Sequence, residues 1–169
     1  MAKSYAVRSF CNLLIAIVLV SGLTTACKKS GGSDPDIDPR DQYVATYTGT
    51  YRNSIYLVED LYDEPRAGTS TITVTKGSNP KEIYIEILTA GDRTGDRNLK
   101  VTAELDGVNF TVIDKNADTI PLPRPADSDY SASGVFDPNT KQISYASVAR
   151  AVRNGLQIRQ TYEIVGTRK

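Results

Sequence analysis

Four carboxylates stand close together in EDLYDEPRAG: Glu59, Asp60, Asp63 and Glu64. Two such groups at a fixed separation could serve as acid and base in glycoside cleavage. An acidic hairpin loop needs no such geometry and accounts equally for the cluster. Four aspartates, Asp34, Asp36, Asp38 and Asp41, alternate in DPDIDPRD. Alternate carboxylates can ligate calcium, but an EF-hand loop also needs glycine at its sixth position and glutamate at its twelfth. Counted from Asp34, Pro39 and Ala45 stand there, so the run reads as solvated chain kept extended by its charge. Gly91-Asp92-Arg93 recurs as Gly95-Asp96-Arg97. Backbone amides with arginines could cradle a phosphate. The residues that follow alternate like a strand, which leaves a charged hairpin loop.

The chain has no histidine. That removes the commonest general base and the commonest transition-metal ligand, and it excludes nucleophilic catalysis by serine–histidine or cysteine–histidine pairs. No metal and no cofactor is expected. Lys+Arg and Asp+Glu number 20 each, without the basic excess of a nucleic-acid binder. What remains is binding chemistry. Nine of the ten tyrosines lie beyond residue 26. Tyr43, Tyr47 and Tyr51 are spaced to share one strand face, and Tyr56, Tyr84, Tyr145 and Tyr162 lie on other strands. A tyrosine offers an apolar ring and a hydroxyl together, suited to an amphipathic ligand; it is equally a good half-buried strand residue. Arginines gather at Arg150, Arg153 and Arg159, with Arg124 in PLPRPADSD. An inward arginine would pair with an anionic head group such as a fatty acid carboxylate. Arg159 is out of phase with Ile158 and Ile164 and points outward if that row is buried. The candidate ligand contacts are therefore Tyr47, Tyr51, Tyr145, Tyr162, Arg150 and Arg153.

The elements that must position these residues start after an unusual N-terminus. Lys3 and Arg8 precede the apolar run FCNLLIAIVLV, Phe10 to Val20. It is too short for a membrane span of about 20 residues and suits the apolar part of a secretory signal. Small residues follow, ending in Ala26 before Cys27. This stretch resembles the lipobox of bacterial lipoproteins. The resemblance implies cleavage before Cys27 and acylation of that cysteine with fatty chains such as palmitate. Thr24 departs from the pattern where the family prefers leucine, and Leu23 sits one place further back. Cys11 would leave with residues 1–26, and Cys27 would be consumed by lipid. No disulfide would remain, although an exported protein could use one. Multiple acyl chains anchor stably. Residues 27–42, rich in Gly, Ser, Pro and Asp, read as a flexible tether averaging about 20 Å end to end.

From 43 to 169 the chain reads as one all-β domain. Tyr43 to Tyr51 and Ser54 to Glu59 read as two strands. Ile72 and Val74 share a face, as do Ile83, Ile85 and Ile87. Leu99, Val101, Ala103 and Leu105 alternate with polar residues, and Asp106-Gly107 turns the chain into Val108 to Val112. Ser131 to Phe136, Gln142 to Ala149 and Leu156 to Val165 follow, separated by Asp137-Pro-Asn-Thr and Asn154-Gly155. Arg150 to Arg153 is the best helical stretch and is too short. Period two with one apolar face predicts an antiparallel meander of about eight strands, which can close into a barrel. The alternative is a two-sheet sandwich.

YVATYTGTY, STITVTKGSN, SGVFDPNTKQISY and the terminal IVGTRK resemble the small lipocalin-like (calycin-like) lipoproteins of Bacteroidetes. The resemblance covers most of residues 43–169 and is one of pattern. It implies a tethered meander barrel at the outer membrane, on the periplasmic face or the cell surface. Surface members usually carry acidic residues directly after the cysteine; here Lys28-Lys29-Ser30 intervene. The function expected is non-catalytic: binding of a small apolar or amphipathic ligand, or of an envelope protein. The alternative is an accessory subunit of an envelope or glycan-handling complex. The membrane is met through the acyl chains on Cys27, and no nucleic acid is bound. A filled barrel interior would favour the accessory role.

Overall fold

A computed structural model describes residues 38–58, 60–62, 64–91, 97–115, 117, 120 and 129–169. The expected lipidation residue Cys27, the leader and most of the tether lie outside them, as do Asp34, Asp36, Glu59, Asp63, residues 92–96 and Arg124.

Nine strands run in chain order: β1 (Ala45–Leu57), β2 (Asp60–Leu61), β3 (Arg66–Lys76), β4 (Glu82–Ala90), β5 (Arg97–Asp106), β6 (Asn109–Val112), β7 (Asp129–Asp137), β8 (Gln142–Arg153) and β9 (Leu156–Arg168). From β3 to β9 each strand pairs antiparallel with the next. The ends then join: β1 pairs with β3 on one side and with β9 on the other, from Tyr47↔Arg168 to Leu57↔Ile158. Eight strands thus form a closed barrel, and β2 is a short hairpin addition to β1. Closure leaves no long edge exposed, and the meander excludes the sandwich.

Alternation sets the interior. On β4, Ile83, Ile85 and Ile87 are buried while Tyr84 and Leu88 face out. Val101, Ala103 and Leu105 do the same on β5, and Ile143, Tyr145 and Ser147 on β8. The Asn154-Gly155 turn has both residues at positive φ, 50° and 78°, as a two-residue hairpin of matching twist requires.

Three sequence expectations are corrected. Tyr43–Tyr51 and Ser54–Glu59 are not two strands, because β1 runs unbroken through Arg52 and Asn53. Asn53 is no turn residue: its amide is buried inside the barrel, bonded to Gln160 and Tyr162. The β5–β6 turn falls on Gly107-Val108, since Asp106 still pairs with Asn109. Arg150–Arg153 continues β8 in register with Leu156–Arg159.

Residues 38–42, placed by the sequence at the end of the tether, form a 3-10 turn (Pro39–Gln42) capped by Asp38. Arg40 fastens it. Its guanidinium donates to both oxygens of Asp38 and to the carbonyls of Gly77, Asn79 and Glu82. Lys76 Nζ adds contacts of 3.1 Å to Asp38 and 2.6 Å to Asp41. The Asp38 and Asp41 carboxylates of the candidate calcium run are thereby engaged by cations. The chain enters the body at the end bearing the β3–β4, β5–β6 and β7–β8 turns.

Candidate functional site

The two ends of the barrel differ. At the end where the chain enters, aromatic rings fill the bore. Tyr43 stacks on Phe136 with centroids 4.4 Å apart, and Phe136 meets Phe110 at 5.1 Å and Tyr47 at 6.0 Å. Tyr47 Oη donates to the Tyr43 carbonyl at 2.8 Å. Ile72, Val74, Ile83, Ile85 and Ile143 complete this half. An eight-stranded barrel is just wide enough for side chains to fill, and here they do.

The opposite end carries the connections after β1, β4 and β6 and the β8–β9 hairpin. Its interior is polar. Gln160 Nε2 donates to Asn53 Oδ1 at 3.0 Å, and Asn53 Nδ2 donates to Tyr162 Oη at 3.1 Å. The Arg97 guanidinium lies 4.9 Å from the centre of the Tyr162 ring. Because β5 and β9 stand on opposite sides of the closed sheet, that contact crosses the bore. Tyr130 and Tyr145 share a hydrogen bond between their hydroxyls. Burial pushes the Tyr145 phenol far up, with the neighbouring Tyr130 phenol adding to the effect. Burial also raises Tyr130, against opposing hydrogen bonds from Tyr145 and Ser147. Both phenols therefore stay neutral at any physiological pH. Among the described residues Gln160 Oε1 and Ser70 Oγ are buried without a hydrogen-bond partner.

The void enclosed by Ile87, Thr89, Arg97, Leu99, Tyr145, Ser147, Tyr162 and Ile164 measures about 10 Å³, at the lower limit for one water. The interior is filled. On the outer wall near the same end lies a cleft of about 430 Å³ between Asp129, Arg150, Val152, Gln157 and Arg159, floored by the strand backbone at Ala151 and Ile158. That is within the range of small-molecule sites. A broader hollow of about 920 Å³ over Thr50, Arg52, Thr69 and Glu163 also lies on the outer wall, where these residues alternate outward. Among the described residues no group of His, Cys, Asp or Glu could hold a metal, and no helix is long and apolar enough to cross a membrane.

The six sequence candidates do not form one site. Tyr145 and Tyr162 come together with Arg97 in the polar interior, and Tyr51 lies 6.0 Å from Tyr162, ring to ring. Tyr47 sits apart in the aromatic half. Arg150 faces the outer cleft, while Arg153 is half-buried at the rim in the inward phase of β8. Arg159 points outward over the Tyr56 ring at 4.1 Å. Of the carboxylate cluster, Asp60 and Glu64 are exposed. The residues that sequence reasoning passes over are Asn53, Gln160 and Ser147, and it weighs Arg97 only as part of a charged loop. Their signal is phase: Gln160 falls between Ile158 and Tyr162, and Arg97 lies two residues before Leu99.

No protein-family model matches the sequence, and no curated protein matches it. Among solved structures the chain is similar to lipocalin 12 from rat epididymis, with a TM-score of 0.41 and 10% identity. That match covers 75% of this chain and 66% of the lipocalin, just under two thirds of its length. The chain is also similar to the monomer form of the PknI sensor domain of M. tuberculosis. There the TM-score is 0.41 and the identity 13%, over 73% of this chain and 88% of that one.

Proposed function

We propose that this protein is a lipid-anchored envelope lipoprotein of the outer membrane whose barrel is a non-catalytic binding module. Its ligand is small and amphipathic and is held in a cleft on the outer wall near one end of the barrel rather than deep in the bore. One observation carries this reading: the bore is filled, with a void of only about 10 Å³, whereas a cleft of about 430 Å³ opens on the outer face of β8 and β9 near the end with the long connections. The absence of histidine removes the commonest general base.

The filled bore also favours a second reading, an accessory subunit whose mouth docks an envelope protein. Val58, Leu61, Tyr62, Val152 and Leu156 are exposed apolar residues at this end, and such patches commonly mark contact surfaces.

Native mass spectrometry of the protein purified from its own host separates the two. A retained mass of a few hundred daltons supports the module; a stoichiometric protein partner with no small ligand refutes it in favour of the accessory role. Intact-mass measurement on the same sample tests the anchor. The expected species begins at Cys27 and carries acyl chains, and an unmodified thiol or a retained leader defeats that part.

A further inference from the structure

We infer that the outer cleft takes a zwitterion, a free α-amino acid with an apolar side chain, holding its carboxylate between Arg150 and Arg159 and its ammonium group on Asp129. This rests on the binding-module reading and names the chemistry of the ligand.

Five side chains facing out of β7, β8 and β9 line the cleft: Asp129, Arg150, Val152, Gln157 and Arg159. The ladders set three of them side by side. Arg150 has Asp129 as its partner on one side and Arg159 on the other. Like charges directly opposite each other destabilise a sheet, so strand pairing alone gives no reason for the two arginines. Arg159 is drawn away from β8. Its guanidinium lies 4.1 Å from the centre of the ring of Tyr56, its partner on β1. Stacking on an aromatic ring holds the guanidinium plane and leaves the space beside Arg150 open. That space is the cleft, and backbone at Ala151 and Ile158 floors it. Two guanidiniums flanking a gap can take a carboxylate between them, one oxygen to each.

Charge selects among the ligands that could enter. The two arginines repel a simple cation, and Asp129 repels a simple anion that spreads past Arg150. A zwitterion matches both. Neighbouring strands stand about 4.8 Å apart, so Asp129 lies roughly 7 Å, one and a half spacings, from the midline between the arginines. An ammonium group and a carboxylate on one carbon, each with a hydrogen bond of about 2.9 Å to the protein, span that distance. The next row toward the hairpin is the Val152–Gln157 pair. Val152 is 70% exposed, and its methyl groups offer a surface to an apolar side chain. The Gln157 carbonyl accepts from the Val58 N–H at 2.9 Å, which ties this end of β9 to the chain after β1. At about 430 Å³ the cleft is of small-molecule size.

The test uses the full chain and three probes that share one carbon skeleton. These are leucine, 4-methylpentanoate, which lacks the ammonium group, and 3-methylbutylamine, which lacks the carboxylate. Isothermal titration reads their affinities. Leucine should bind at least tenfold more tightly than either analogue. Arg150→Gln and Arg159→Gln should each lower leucine affinity about tenfold or more, as expected for loss of a charged hydrogen bond. Asp129→Asn should lower leucine affinity by about the same factor and leave that of 4-methylpentanoate undiminished. If a variant does not fold, the ranking of the three probes by the parent still decides. 4-Methylpentanoate binding as tightly as leucine overturns the zwitterion, as does an equal loss of both in Asp129→Asn. Leucine affinity unchanged in both arginine variants overturns the site. No binding of leucine overturns the inference outright. The module itself then stands if native mass spectrometry shows a retained small ligand and falls if it shows a protein partner instead.

Discussion

The buried Tyr130–Tyr145 pair makes the fold sensitive to alkali, and the size of the effect follows from its surroundings. Both phenols are raised above the ordinary tyrosine value, chiefly by burial. In the unfolded chain a tyrosine ionises near pH 10. Above that pH the unfolded state has released protons that the folded state still holds, so stability falls as pH rises. Each phenol that stays neutral in the fold costs about 1.4 kcal/mol per pH unit, and the pair about 2.7. With a urea dependence of roughly 1–3 kcal/mol per molar, the midpoint should drop by roughly 1–3 M per pH unit above pH 10.5. Lys76, raised by its bonds to Asp41 and Asp38, acts with the same sign, so the tyrosine share must be isolated. Tyr145→Phe does this. At neutral pH it should cost about 0.5–1.5 kcal/mol, because the buried Tyr130 hydroxyl loses one hydrogen bond and keeps that with Ser147. Above pH 10.5 its stability should decline more shallowly than the parent's, by about 1.4 kcal/mol per unit. Urea midpoints at pH 7, 9, 10.5 and 11.5 for both proteins supply the comparison. Parallel declines in parent and variant would refute the reasoning, as would phenolate absorbance from this pair in a chain still folded at pH 11.

Two further outcomes test the closure of the barrel and the fastening of its entry. At Gly49 an added Cβ would lie 1.9 Å from the Val165 carbonyl oxygen and 2.7 Å from Gly166 Cα, both backbone atoms of the β1–β9 seam. Gly49→Ala should therefore cost about 3 kcal/mol or more and lower Tm by about 10 °C in calorimetry, while Val165→Thr on the outer face should change stability by less than about 0.5 kcal/mol. Arg40→Ala should release the 3-10 turn, read as faster hydrogen exchange at the amides of Asp41, Tyr43 and Val44, which bond within it. Acid should do the same. The Arg40 side chain and backbone amide hold the Asp38 carboxyl well below its ordinary range, so its contribution is present above about pH 4 and is lost as pH falls further.

Strands whose inward residues are apolar are legible from sequence alone. Ile83, Ile85 and Ile87 alternate with polar neighbours, and the phase read from them is the phase observed. Asn154-Gly155 is equally legible, because few residue pairs take two left-handed conformations in succession. Meander order follows from short turns, whereas closure is settled only by the pairing of β1 with β9, since a sandwich shares the same alternation. Legibility fails where the interior turns polar. Arg52-Asn53 looks like a break because asparagine favours turns, yet Asn53 is held by Gln160 and Tyr162 within one continuous strand. The carboxylate cluster and the doubled Gly-Asp-Arg draw the eye for their charge, and neither announces which of its residues belongs to a strand.

Arg97 is the sharpest instance. Leu99, Val101, Ala103 and Leu105 define an inward phase, and one step further back reaches Arg97. Composition argues for ending the strand before that step, since Gly, Asp, Thr and Asn surround it. Pairing argues the other way: β4 extends to Thr89 and beyond, and Thr89 takes Arg97 as its partner across the ladder. Backbone hydrogen bonds hold a strand in register whatever its side chains are, so an inward position exists wherever a partner strand is long enough. A polar residue at such a position is costly unless its neighbours are polar too. Asn53, Gln160, Ser147 and the tyrosines satisfy that condition, drawn from β1, β7, β8 and β9. The polar half of the barrel is therefore a property of the assembled ladder, and it becomes visible only when all the inward phases are extended together toward the same end.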